Sequence, residues 1–183
     1  MIQNINCLHP WHGIQPSWNG KSLIGVIEIP QGSRIKYEID KESGLIKMDR
    51  LLSSSFEYPI NYGFIPRTLG EDGDPLDILV MTHSPLVPLC LVECRVLGLM
   101  QMIDRGIKDD KILAIANTDV TLAHVQSLND FPPHFFAELK NFFEEYTKLE
   151  NKRVEIHEFL DFNLAVESIE NHISLYKDNF MSI

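Results

Sequence analysis

The spacing of apolar residues changes period once along this chain, and that change limits the folds open to it. Over residues 23–29 the run LIGVIEI is apolar and β-branched, a buried strand with a single acid, Glu28, near its end. Over residues 34–40 the pattern alternates strictly. Ile35, Tyr37 and Ile39 face one way, and Arg34, Lys36, Glu38 and Asp40 face the other. Lys41-Glu42-Ser43-Gly44 then supplies turn chemistry, and the apolar pattern returns over residues 45–51. A hairpin follows, with Arg50 able to approach Lys36 and Glu38. Further strands are expected at residues 78–82, at 89–102 with a bend near Gly98, at 111–117 and at 153–159. After Pro132-Pro133 the period becomes helical. Phe135, Phe136, Leu139, Phe142, Phe143, Tyr146 and Leu149 make one apolar stripe behind a proline start. A second helix is expected to begin with Asn163 as N-cap and to run through Val166, Ile169, Ile173 and Tyr176. Strands first and helices last give the α+β class, a small barrel or curled sheet with helices packed outside.

A chain of 183 residues fits one domain, and no repeat or linker divides it. It is read as a single unit over 1–183, with residues 1–20 as an irregular N-terminal arm punctuated by Pro10, Gly13, Pro16 and Gly20. At this size folding buries roughly 70% of the unfolded surface, so neither disulfides nor structural zinc are needed. Sixteen Lys and Arg against 26 Asp and Glu leave a net charge of −10, a field that repels nucleic acid. No stretch reaches the ~18 apolar residues that span a bilayer, so no membrane partner is expected. Cys7, Cys90 and Cys94 are odd in number. Four positions along a strand separate the last two by roughly 13 Å, too far for a bridge, and a reducing, cytoplasmic compartment fits best.

The chemistry concentrates in Glu71-Asp72-Gly73-Asp74-Pro75-Leu76-Asp77, which runs directly into the aliphatic Ile78-Leu79-Val80. Three aspartates at spacings of two and three, with a glycine to turn and a proline to stiffen, gather carboxylates at one point. Their mutual repulsion is relieved by a hard cation such as Mg²⁺, which prefers carboxylate oxygen and keeps several waters. A lone Asp-Gly-Asp is usually a solvated turn. An EF-hand fails, because counting from Asp72 the sixth position is Asp77 and the twelfth is His83. A second acidic loop, residues 102–111 with Asp104 and Asp109, lies between two strand candidates and can point back at the first. Two such clusters suggest a multi-cation site, where ions share a water, lower its pKa and clamp a phosphoryl oxygen. Lys36, Arg50, Lys111, Tyr62 and Tyr146 are the matching cationic and phenolic groups.

These residues carry a resemblance to the family I soluble inorganic pyrophosphatases. The signature Asp-Gly-Asp-Pro-hydrophobic-Asp is matched by Asp72-Gly73-Asp74-Pro75-Leu76-Asp77. Agreement continues through Val26-Ile27-Glu28-Ile29-Pro30, Ile35-Lys36-Tyr37-Glu38-Ile39-Asp40, Asp49-Arg50, Tyr58-Pro59-Ile60-Asn61-Tyr62-Gly63, the set Asp104, Asp109 and Lys111, and Phe142-Phe143-Glu144-Glu145-Tyr146. The resemblance spans about residues 22–160. It implies a five-stranded barrel of the OB type with flanking helices, and hydrolysis of pyrophosphate to two orthophosphates by a water bridging two metals. It implies that Asp72, Asp77, Asp104 and Asp109 hold Mg²⁺, with Asp77 and Asp109 shared between ions, and that Glu28 and Glu38 hold hydrated ions or orient their waters. Roughly three to four Mg²⁺ ions per site would be expected. Asp74 would be the general base. Lys36, Arg50, Tyr62, Lys111 and Tyr146 would bind the phosphates. A homo-oligomer is implied, a hexamer for a bacterial protein and a dimer for a eukaryotic one.

The chain departs from the family pattern at one position. Where a lysine usually follows the late tyrosine, it reads Tyr146-Thr147, with Lys148 one residue further. A helix turns about 100° per residue, so Lys148 leaves from another side. Two other readings are weighed. A metal-dependent phosphoesterase or nuclease would need aromatic groups free for base stacking, and an OB-type binding module would need a surface less acidic than this one. Cys7, His9 and His12 offer three ligands split by Pro10 where structural zinc takes four, so Trp11 and Trp18 are read as anchors of the arm. His83, His124, His134, His157 and His172 are scattered and carry no signal.

Overall fold

A computed structural model describes residues 9–151 and 153–181, so Cys7 and the first eight residues of the arm lie outside the described part. Among the described residues there are nine strands and two α-helices, seven of the strands forming a mixed sheet with a helix on each side. In chain order these are β1 (Ser22–Ile29), β2 (Ile35–Ile39), β3 (Ile46–Leu51), β4 (Asn61–Phe64), β5 (Asp77–Met81), β6 (Leu91–Asp104), β7 (Ile107–Lys108), β8 (Lys111–Ala116), α1 (Pro133–Glu145), β9 (Val154–Leu160) and α2 (Phe162–Phe180). The strand β1 pairs with β4, β4 with β5, β5 with β8, β8 with β6, and β6 again with β1, so five strands are paired in a ring. All of these pairs are antiparallel except β5 with β8. Strands β7 and β9 extend the sheet from β6, while β2 and β3 form a separate two-stranded sheet.

Burial on both faces explains why β5 and β8 read as unbroken apolar runs rather than alternating ones. Leu79, Met81, Leu113 and Ile115 pack with Leu139, Phe142 and Phe143 of α1. Ile78, Val80, Ile112 and Ala114 pack with Ala165 and Ile169 of α2. Gly63 shows how closely the strands approach, since a β-carbon there would lie 1.9 Å from the Val26 carbonyl oxygen. A third cluster, with Trp11, Ile39, Phe64 and Tyr176, joins the arm to the hairpin and to α2. Trp18 packs against the α2 side of the core.

Several boundaries differ from the sequence expectation for physical reasons. Asp161, not Asn163, caps α2: its side chain accepts the Asn163 and Leu164 amide N–H groups at 3.0 and 3.3 Å. Helix α1 ends at Glu145, so the stripe stops short and Leu149 lies 69% exposed in the short 3₁₀ turn that follows. Residues 102–111 are a tight hairpin rather than an open loop, with Asp104 at the end of β6 and β7 returning beside it. Strand β4 is four residues long and includes Gly63, too short and too weakly patterned to stand out. The bend expected near Gly98 is present as a register shift between Val96 and Gly98. Cys90 and Cys94 are free thiols. Among the described residues no helix is long and apolar enough to cross a membrane.

Candidate active site

Strand ends bring the two acidic segments together. Asp77 is the first residue of β5 and Lys111 the first of β8, and they are direct partners in the parallel ladder. Lys111 is almost wholly buried, and its ammonium donates to Asp77 Oδ2 at 2.6 Å and also to Asp109. Tyr62, one strand over on β4, donates its hydroxyl to the same Asp77 oxygen. Burial is the largest influence on Asp77 and pushes its carboxyl up to about 6, against the opposing pull of Lys111. Burial alone would lower Lys111, but Asp77 and Asp109 outweigh it and hold the amine above its usual range.

The preceding loop is shaped by its own side chains. Asp72 Oδ1 accepts the Asp74 N–H at 3.0 Å, the Gly70 N–H donates to the Asp74 carbonyl at 2.7 Å, and Gly73 takes φ +82°, a conformation that favours glycine. Glu28 stands at a register shift in the β1–β4 pairing, the kind of bulge that re-aims a side chain. Its Oε1 accepts the Ile39 N–H at 2.7 Å, and burial, reinforced by Asp77, pushes the acid up to about 8. Lys36 pairs with Glu38.

All of these groups face one cleft of about 450 Å³. Its walls carry Glu28, Lys36, Glu38, Tyr62, Asp72, Asp74, Asp77, Asp104, Asp109, Lys111 and Tyr146. Arg50 does not line it. Its Nε donates to Glu150 Oε1 at 2.9 Å and it also pairs with Asp49, which holds it beside the cleft. Tyr62 and Tyr146 are raised by burial and so keep their hydroxyl protons. Thr147 is buried, its hydroxyl finds no hydrogen-bond partner among the described residues, and it is not part of the cleft wall. Lys148 turns away to Glu145 at 2.9 Å.

Residues 25–177 match the inorganic pyrophosphatase family. The chain belongs to that family. A soluble inorganic pyrophosphatase of Solanum tuberosum is 49% identical over 171 residues, covering 93% of this chain and 81% of the relative. One from Arabidopsis thaliana is 47% identical over 171 residues, covering 93% and 79%. Among solved structures, the inorganic pyrophosphatase from Thermus thermophilus superposes with a TM-score of 0.88 at 39% identity, covering 92% of this chain and 99% of its own. The Helicobacter pylori enzyme gives 0.86 at 39% identity, covering 90% and 98%.

This pyrophosphatase carries cleft residues that the sequence pattern did not single out. Lys41 and Arg105 line the wall, Lys41 paired with Asp74 and Arg105 with Asp104 at 3.3 Å. Lys41 looked like turn chemistry and Arg105 like a solvated loop charge, and neither carries a local signal. Asp110 lies outside that wall, in a neighbouring pocket, where it is buried, accepts the Met102 N–H at 3.2 Å and faces the Lys108 ammonium at 3.1 Å.

Proposed function

We propose that this cleft is where the chain hydrolyses pyrophosphate to two orthophosphates, with the acids of the two segments holding cations and the basic and phenolic groups holding phosphate. One relationship carries the reading: Asp77 and Asp109, from separate acidic segments, share the buried Lys111 ammonium. Like charges held this close need a cation between them.

Asp72, Asp77, Asp104 and Asp109 would hold Mg²⁺, Asp77 and Asp109 being shared, with Glu28 and Glu38 binding hydrated ions or orienting their waters. The donors fit that ion. They are carboxylate oxygens throughout, and magnesium keeps several waters and takes one or two carboxylates rather than a protein cage. Among the described residues no three His, Cys, Asp or Glu side chains are already grouped around one ion position, so the reading rests on the acids that line one cleft. Bound there, roughly three to four ions would lower the pKa of a water and clamp phosphoryl oxygens.

The chain's own groups do the rest. Asp74, at the rim, takes the proton of the attacking water as general base. As the new P–O bond forms, the bridging P–O bond opposite it breaks, and the charge on the leaving phosphate falls to Lys36 and Lys111. Tyr62 and Tyr146 donate hydrogen bonds to phosphate oxygens. Arg50 works from the edge, restrained by Glu150. The same reading takes the ring of five paired strands as an OB-type barrel, the chain as one domain, and the protein as a cytoplasmic homo-oligomer. The closing β1–β6 pairing supports the first of these.

The test is orthophosphate release with and without added magnesium. Two orthophosphates per pyrophosphate, dependent on magnesium, are expected, with no release from nucleotides. Release from nucleotides or nucleic acid at comparable rates would favour a general phosphoesterase instead.

A further inference from the structure

The segment His9-Pro10-Trp11 contributes nothing to the cleft wall, yet it is tied to the acidic loop at two points. The Trp11 N–H donates to His9 Nδ1 at 3.2 Å, which leaves the imidazole proton on Nε2. That Nε2–H donates to the Lys41 carbonyl at 3.2 Å. The turn bearing Lys41 is packed directly under the arm. Gly44 closes it at φ +71°, and a β-carbon there would meet Pro10 Cδ at 2.9 Å and His9 Cδ2 at 3.0 Å. From this turn the Lys41 side chain reaches the acidic loop, donating to the Gly73 carbonyl at 3.1 Å and pairing with Asp74.

The second tie runs through the buried Trp11 ring. Its Nε1–H donates to the Thr68 carbonyl at 2.8 Å, and the Arg67 N–H donates back to the Trp11 carbonyl at 2.9 Å. The Thr68 hydroxyl in turn accepts the Leu76 N–H at 2.8 Å, one residue before Asp77. So residues 73–74 are held through Lys41 and residue 76 through Thr68, from one segment of chain.

We propose that residues 9–11 are a brace for the acidic loop, and that Lys41 and Trp11 are positioning residues which fix Asp74 over the cleft. The β2–β3 hairpin is a separate two-stranded sheet, so its turn needs an outside support if Lys41 is to hold a constant place. Geometry near a reacting group is worth much in rate, since a misplacement of an ångström costs about a hundredfold. The proposal rests on the reading of the cleft given above, specifically on Asp74 as base.

The test compares His9→Ala, Lys41→Met, their double variant and Lys41→Arg in the full chain. Two readings are made: kcat against KM for pyrophosphate, and amide exchange of residues 70–77 in magnesium-free protein. His9→Ala and Lys41→Met are each expected to lower kcat by about three- to tenfold with KM little changed, and to speed exchange of the loop. The double variant should be no worse than Lys41→Met alone, and Lys41→Arg should restore most of the loss. Multiplying effects in the double variant, an unchanged exchange rate, or a raised KM at constant kcat would overturn the brace. Asp74→Asn separates the two claims. If it keeps full turnover, the base assignment falls, whereas coupling between His9 and Lys41 is read independently of it.

Discussion

Lys111 Nζ lies 2.6 Å from Asp77 Oδ2, between two carboxylates that belong to different acidic segments. The lysine supplies positive charge between them, and it is nearly sealed from water. Lys111→Met would keep most of the volume and leave Asp77 and Asp109 facing each other. Removing one member of a buried ion pair costs about 3–5 kcal/mol. Urea unfolding of magnesium-free protein should show a loss of that order, with part of it recovered when magnesium is added. A loss below about 1 kcal/mol would mean the ammonium is not buried between the two acids.

His12 gives a pH dependence with a definite sign. Burial, then His9 and Arg67, lower its pKa, and its Nδ1 meets the Tyr176 hydroxyl at 2.8 Å. The folded state therefore resists protonation more than the unfolded chain does. Well above about pH 6.5 both are neutral and His12 adds no slope. As pH falls from about 6.5 toward the lowered folded value, protons favour the unfolded chain and stability is lost. The difference in stability between wild type and His12→Gln, measured from pH 7.5 to 5, should shrink at the acid end. A flat difference would contradict it.

Gly63→Ala tests the strand approach. The new methyl would sit 1.9 Å from the Val26 carbonyl oxygen, an impossible contact without moving β1 from β4. The bulge that aims Glu28 lies in this same pairing. A destabilisation of about 3 kcal/mol or more is expected by thermal or urea unfolding, together with weaker magnesium dependence of turnover. Wild-type stability in the variant would show that the two strands are further apart.

Thr147 hides a hydroxyl with no hydrogen-bond partner among the described residues. A buried unpaired polar group costs about 1–3 kcal/mol. Thr147→Val should therefore be neutral or stabilising by about 1 kcal/mol. Because Thr147 is outside the cleft wall, KM should stay unchanged. A clear loss of stability would reveal a partner for that oxygen.

Much of the site was legible because its chemistry is local. The Asp72–Asp77 loop announces itself through acids, glycine and proline within six residues, and Gly73 adopts the left-handed backbone such spacing requires. Hairpin β2–β3 and helix α1 were readable from period alone. What escaped depends on contacts distant in sequence. Lys41 reaches Asp74 across 33 positions, and Glu150 holds Arg50 across 100. Strand β4 carries no clear period because a glycine and an asparagine break its pattern, and Gly63 is there to let β1 come close. Asn163 has the residue type of a cap, but Asp161, two positions earlier, supplies the oxygen.

The central claim is that two anionic segments gather magnesium while Asp74, within the first of them, handles the proton. Calorimetric titration of magnesium into wild type, Asp77→Asn and Asp74→Asn, run beside turnover on the same samples, tests it directly. Asp77→Asn is expected to lose magnesium affinity, whereas Asp74→Asn should keep near wild-type affinity and lose about a hundredfold or more in kcat. Equal loss of magnesium in both variants would remove Asp74 as base, and unchanged affinity in Asp77→Asn would remove the metal site itself.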